Sequence, residues 1–145
     1  MKTNGGFLVT KIKQLGDRIF ERILAEKNID AFNGAQGRIL YVLWQEDGVP
    51  IKIISEKSGL AITSLTTMLE RMEKNGLISR KTDEADKRKT LLFLTDKAKE
   101  LKEAYDSVSN EMGNIYYRDF TDKEILQFEE YLNRIRVILE EWSDK

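Results

Sequence analysis

The chain contains no cysteine and no histidine. The first absence removes disulfides, thiolate nucleophiles and zinc–thiolate sites, and the second removes every mechanism that uses an imidazole as acid, base or ligand. Proline occurs once in 145 residues, and no glycine-rich stretch divides the sequence. It therefore reads as one domain over residues 1–145, long enough for a sizeable core. Long apolar runs are missing too. The longest, Ile39 to Trp44, is far too short to cross a bilayer. Phe7-Leu8-Val9 is followed at once by Thr10 and Lys11, unlike a secretory leader. The expectation is a cytoplasmic protein with no membrane attachment. Carboxylates are plentiful, but nearly all stand three or four residues from a lysine or arginine, the spacing of a solvated, ion-paired helix face. No phosphate-cradling glycine loop, nucleophile elbow or metal-ligand spacing is present. The sequence thus predicts no catalytic residue, no metal and no cofactor, and the chain is not expected to be an enzyme.

What is present centres on Ala61 to Thr95. Leu65, Leu69 and Met72 recur at helical spacing, so residues 61 to about 75 form an amphipathic helix whose other face carries Thr63, Ser64, Thr67, Arg71 and Lys74. Asn75-Gly76 stops it, since glycine takes the left-handed conformation of a helix end without side-chain cost. Leu77-Ile78 and Leu91 to Leu94 then flank the charged tract Thr82 to Thr90, which predicts two short strands joined by an exposed loop. Upstream, Ile51, Ile53 and Ile54 open a helix that closes at Ser58-Gly59, and a short glycine-containing turn between two helices is a helix-turn-helix. A helix followed by a charged ribbon suits duplex DNA. The helix fits a major groove, and a basic loop reaches the narrower, more negative minor groove.

Asp86-Lys87-Arg88, five further residues and then Leu94-Thr95 resemble the DxRxxxxxLT wing signature of the multiple-antibiotic-resistance regulator (MarR) family, and Glu73 to Arg80 is similar to that family's segment joining reader helix to wing. The specific motifs cover residues 49 to about 95, while length and helix order agree over nearly the whole chain. The resemblance implies that Arg88 enters a minor groove, that Asp86 pairs with and aims it, and that Lys87 and Lys89 contact phosphates. On the helix, Thr63, Ser64, Thr67, Arg71 and Lys74 are candidates for bases or phosphates, with Thr66 at the edge of that face or packed inward. Ile62 is expected in the core, the alternative being that, if exposed, it meets a thymine methyl. Two positions depart from the family pattern. Position 61, usually a serine or threonine cap, is alanine, and position 67, often basic, is threonine. The second departure shifts electrostatic binding toward the wing.

Elsewhere, Leu8, Ile12, Leu15, Ile19 and Ile23, widened by Phe20 and Leu24, predict a first helix over 7 to about 27. Asn33 followed by Gln36 starts a second, nearly all apolar and hence central, which Asp47-Gly48-Val49-Pro50 ends in a turn. From Asp96 the helical period returns in two long helices. One carries Ala98, Leu101, Tyr105, Val108, Met112 and Ile115; the other carries Ile125, Phe128, Leu132, Ile135, Leu139 and Trp142. Thr121 and Glu124 form a capping box at the break. Such stripes predict coiled-coil-like packing against the first helix and a second copy of the chain. Charge is divided as well, with sixteen basic against twelve acidic residues in 1–95 and eight against thirteen in 96–145.

The fold class expected is mainly α with a small β-ribbon: a winged helix-turn-helix over 33–95 flanked by dimerisation helices at 1–32 and 96–145. The function expected is a sequence-specific regulator that binds an inverted repeat in double-stranded DNA as a homodimer, in the manner of a ligand-responsive repressor. The resemblance implies a small aromatic or anionic effector, for which Phe7, Phe32, Tyr41, Tyr105, Tyr116 and Tyr117 are candidate cavity residues and none is assigned. The same features also fit a non-DNA protein-interaction module built on a helical dimer.

Overall fold

A computed structural model describes residues 1–144 and forms two compact units, one spanning Met1–Ser109 and the other starting at Asn110. Lys145, the last residue of the C-terminal region expected to mediate dimerisation, lies outside the described residues.

In the first unit, α1 (Gly5–Glu26) leads to α2 (Gly34–Gln45), β1 (Val49–Pro50), α3 (Ile51–Ser58), α4 (Ile62–Lys74), β2 (Ile78–Thr82), β3 (Thr90–Leu94) and α5 (Asp96–Glu100). The start of α2 is the predicted capping box: the Asn33 side chain accepts from the Gln36 amide, and the Gln36 side chain accepts from the Asn33 amide. Glu21 of α1 adds its carboxylate as acceptor of the Gly34 amide at 2.6 Å. As its composition requires, α2 is central, with Ile39, Leu40, Val42 and Leu43 buried. Ile54, Leu65, Leu69, Met72, Leu77, Ile78 and Leu92 join this core, each almost wholly removed from water.

The sheet differs from the two-stranded expectation. Val49-Pro50 is a strand rather than only a turn, pairing antiparallel with β3 so that Val49 faces Leu92 and Pro50 faces Leu91. The strand order is β1-β3-β2. A two-residue strand containing proline has no alternation to betray it, and its partner is more than forty residues away. Gly48 makes the junction possible. Its φ is +70°, and a Cβ there would lie 2.6 Å from the Phe93 ring. Asp47 secures the same corner by accepting the Leu94 amide at 2.8 Å.

The first of the two long C-terminal helices is also divided, into α5 and α6 (Lys102–Tyr116), with Leu101 between them in near-helical geometry that leaves the apolar period intact. Tyr105, on α6, lies 5.4–6.1 Å from the ring centres of Phe20, Phe32, Tyr41 and Trp44, and Phe32 is buried. Three of the six aromatic cavity candidates, Phe32, Tyr41 and Tyr105, thus sit in one ring cluster.

The second unit contains the end of α6 and α7 (Asp122–Ser143), which begins with the predicted Thr121–Glu124 capping box. No residue of α7 is buried, and Leu132, Ile135, Ile138, Leu139 and Trp142 are all exposed. In the first unit, the opening half of α1 likewise exposes Phe7, Leu8, Val9, Ile12 and Leu15.

Leu69 is fully buried, so Leu69→Ala should cost about 2–5 kcal/mol of stability through lost transfer energy and the cavity left behind. Urea unfolding followed by circular dichroism reads this directly. Glu84→Ala, at an exposed loop position, should stay within about 0.5 kcal/mol of wild type.

Candidate nucleic-acid interface

The orientation of α4 follows from its three apolar residues. Leu65, Leu69 and Met72, spaced four and three apart, are each fully buried. At 3.6 residues per turn this directs Thr63, Thr67, Glu70 and Lys74 to the opposite side, with Ser64 and Arg71 on one flank and Ile62 and Thr66 on the other. All of these outward and flanking residues are exposed. Ile62 corrects an expectation. It is 48% exposed rather than in the core, because it stands in the first turn of the helix, beyond the buried seam. Thr66 is at the edge, not packed inward, and its hydroxyl donates to the Ile62 carbonyl at 3.0 Å.

The alanine at position 61 leaves α4 without a side-chain cap, and no carboxylate stands in its first turn. The partial positive charge of the helix start is therefore not neutralised by the helix's own side chains, a setting that favours an approaching anion.

The far end of α4 is held firmly. Gly76, at φ +75°, closes the helix as predicted. Thr95 then fixes the position of that end: its hydroxyl donates to the Gly76 carbonyl at 2.6 Å, its amide donates to the Leu77 carbonyl at 3.1 Å, and its oxygen accepts from the Ala98 amide at 3.2 Å, capping α5. Lys97 adds its ammonium to the Asn75 carbonyl at 3.1 Å, where a cation complements the negative end of a helix. Arg80 of β2 pairs with Glu73 of α4 at 3.2 Å.

In the wing, Asp86 and Arg88 are brought together. One Asp86 oxygen accepts from the Arg88 amide at 3.1 Å and from its Nε at 3.0 Å, and the other accepts from a terminal guanidinium nitrogen at 3.3 Å. Arg88 nevertheless keeps its side chain 91% exposed. Its charge is aimed by a carboxylate while remaining available to solvent. The loop is closed beneath it, with the Asp83 amide donating to the Lys89 carbonyl and the Lys89 amide to the Asp86 carbonyl. Lys87 and Lys89 are exposed beside it.

Sequence reasoning passed over Lys52 and Arg80. Together with Arg88 and Lys89 they line a concavity between the start of α3 and the wing. Arg80 stood at the end of a recognised segment, but nothing in local spacing links it to Lys52. Among the described residues no cluster of three or more carboxylates could hold a metal ion, and no helix is long and apolar enough to cross a membrane.

Two helices joined by a tight turn, the second outward-facing and followed by a ribbon with a basic tip, define a winged helix-turn-helix. The MarR family model matches residues 32–90, so this segment is similar to that family. It is 36% identical over 77 residues to the HTH-type transcriptional regulator TtmR of Methylorubrum extorquens (strain PA1), a match covering 53% of this chain and 40% of that protein. It is 42% identical over 64 residues to the organic hydroperoxide resistance transcriptional regulator of Bacillus subtilis (strain 168), covering 44% of each. Each match thus spans less than half of the relative's own length. A crystal structure of a mutant MarR from E. coli complexed with operator DNA superposes with a TM-score of 0.80 at 22% identity, over 90% of this chain and 91% of that one, which shows a shared fold.

The Asp86 carboxyl is held below the usual carboxylate range, first by the Arg88 guanidinium and then by the Arg88 amide. A depressed value means that the contact stabilises the fold above the ordinary carboxylate range and is lost as pH falls through the lowered value. Carboxyl carbon NMR should therefore find Asp86 titrating below a free aspartate, and in Arg88→Ala its midpoint should rise toward the ordinary value.

Proposed function

We propose that this chain is a sequence-specific transcriptional repressor that binds an inverted repeat in double-stranded DNA as a homodimer and is responsive to a small aromatic or anionic effector. The observation that carries this reading is the pairing, in one module, of an outward hydroxyl-rich helix with an exposed arginine held in place by its own carboxylate. Thr63, Ser64, Thr66, Thr67, Arg71 and Lys74 supply helix contacts to bases and phosphates. Arg88, aimed by Asp86, supplies the minor-groove contact, and Lys87 and Lys89 supply phosphate contacts. The relatives named above are transcriptional regulators, which supports a regulatory rather than an enzymatic role. A regulator of this kind acts in the cytoplasm, where its DNA is.

The dimer rests on uncovered apolar surface. α1 and α7 each leave a run of large apolar side chains uncovered, and a second copy is the partner that a two-fold interface supplies. Two copies would present their α4 helices to half-sites about 34 Å apart. Sedimentation at micromolar concentration should show two chains, and a single chain would overturn this part of the reading.

One observation favours the second reading, docking on protein. Glu70 stands exposed beside Thr67, Arg71 and Lys74 on α4, where a duplex would repel it. Fluorescence anisotropy with the duplex flanking the coding region, against a scrambled duplex, separates the two readings. Under the DNA reading, Arg88→Ala weakens specific binding by about 1–3 kcal/mol. Lys87→Ala weakens both duplexes alike and lowers the salt slope by about one. Affinity for every duplex unchanged by Arg88→Ala would favour the protein-docking module.

A further inference from the structure

Between Ile51 and Leu94 the large hydrophobic side chains are buried or half-buried with one exception. Ile62 is 48% exposed. An exposed apolar residue is ordinary in itself; its position is what sets this one apart. It opens α4, the helix whose N-terminal residues reach base edges when a helix-turn-helix docks on DNA. Helical side chains lean toward the helix start, so Ile62 projects at the leading end of the helix rather than back along its shaft.

Its neighbours extend the apolar character. Ala61, exposed, precedes it with only a methyl group. Thr66, one turn further along the same flank, has its hydroxyl proton committed to the Ile62 carbonyl at 3.0 Å. The leading flank of α4 is thus methyl-rich, while the outward face behind it carries Thr63, Thr67 and Lys74 and the other flank Ser64. In the major groove, one group on the four base pairs is apolar: the C5 methyl of thymine. Cytosine acquires the same group at the same place when methylated at C5.

We propose that Ile62 is a specificity-determining residue that reads a pyrimidine C5 methyl, so that each half-site requires thymine, or accepts 5-methylcytosine, at the base pair facing the start of α4. This rests on the DNA-binding reading above and adds the chemical group selected at one position. The contact is apolar and formed in the groove, so it discriminates without adding to the salt-dependent affinity for DNA in general.

The test begins with sites enriched from a random duplex library by the full chain. Each thymine is then replaced in turn by deoxyuridine, which lacks only the methyl. One position per half-site should lose about fourfold in affinity, the value of one buried methyl group. At that position a 5-methylcytosine–guanine pair should bind better than cytosine–guanine by a similar factor. Ile62→Ser should bind thymine and uracil duplexes equally, with nonspecific binding and its salt slope unchanged, whereas Ile62→Val, which keeps a branched apolar tip, should retain the preference. An enriched site whose thymines can all be replaced without loss, or an Ile62→Ser variant that still prefers thymine, overturns the inference and leaves the regulator reading standing. Failure to enrich any sequence overturns both.

Discussion

The burial of Leu65, Leu69 and Met72 is the constraint on which the proposed interface depends. These three side chains set the rotation of α4 about its axis. Each residue advances the helix by about 100°, so turning α4 by one position would pull an apolar residue into water and push a hydroxyl or a charge into the core. The outward face is therefore determined by what must be hidden. The exposed threonines and basic residues can vary without altering the direction in which they point.

The wing applies the same separation of framework from reader at smaller scale. β3 lies between β1 and β2 and contributes Leu92 and Leu94 to the core. The loop beyond the sheet contains no buried residue, and its form comes from hydrogen bonds to Asp83 and Asp86. Asp86 serves two purposes with one carboxylate. It shapes the turn through the Arg88 amide and restrains the Arg88 guanidinium, which lowers the conformational entropy that side chain has left to lose on binding.

Much of this was legible in the sequence because it is written in short-range periods. The buried seam of α4, its glycine stop, the Asn33 and Thr121 capping boxes and the flanking strands of the wing each need a window of only a few residues. What escaped depends on distance or on ends. The strand at Val49-Pro50 exists because Leu91 and Leu92 lie beside it, and two residues carry no period. The division at Leu101 escaped because the apolar spacing runs through it without change. Ile62 looked like core because isoleucine usually is, yet a first-turn residue has no preceding turn to cover it. Lys52 and Arg80 are separated in sequence and share a concavity only after the sheet has formed.

Thr95 carries a consequence of another kind. Its single hydroxyl oxygen serves as donor to the carbonyl that ends the reader and as acceptor from the amide that begins α5. The end of α4 and the start of α5 therefore share one side chain, and removing that hydroxyl would cost both of them a hydrogen bond at once.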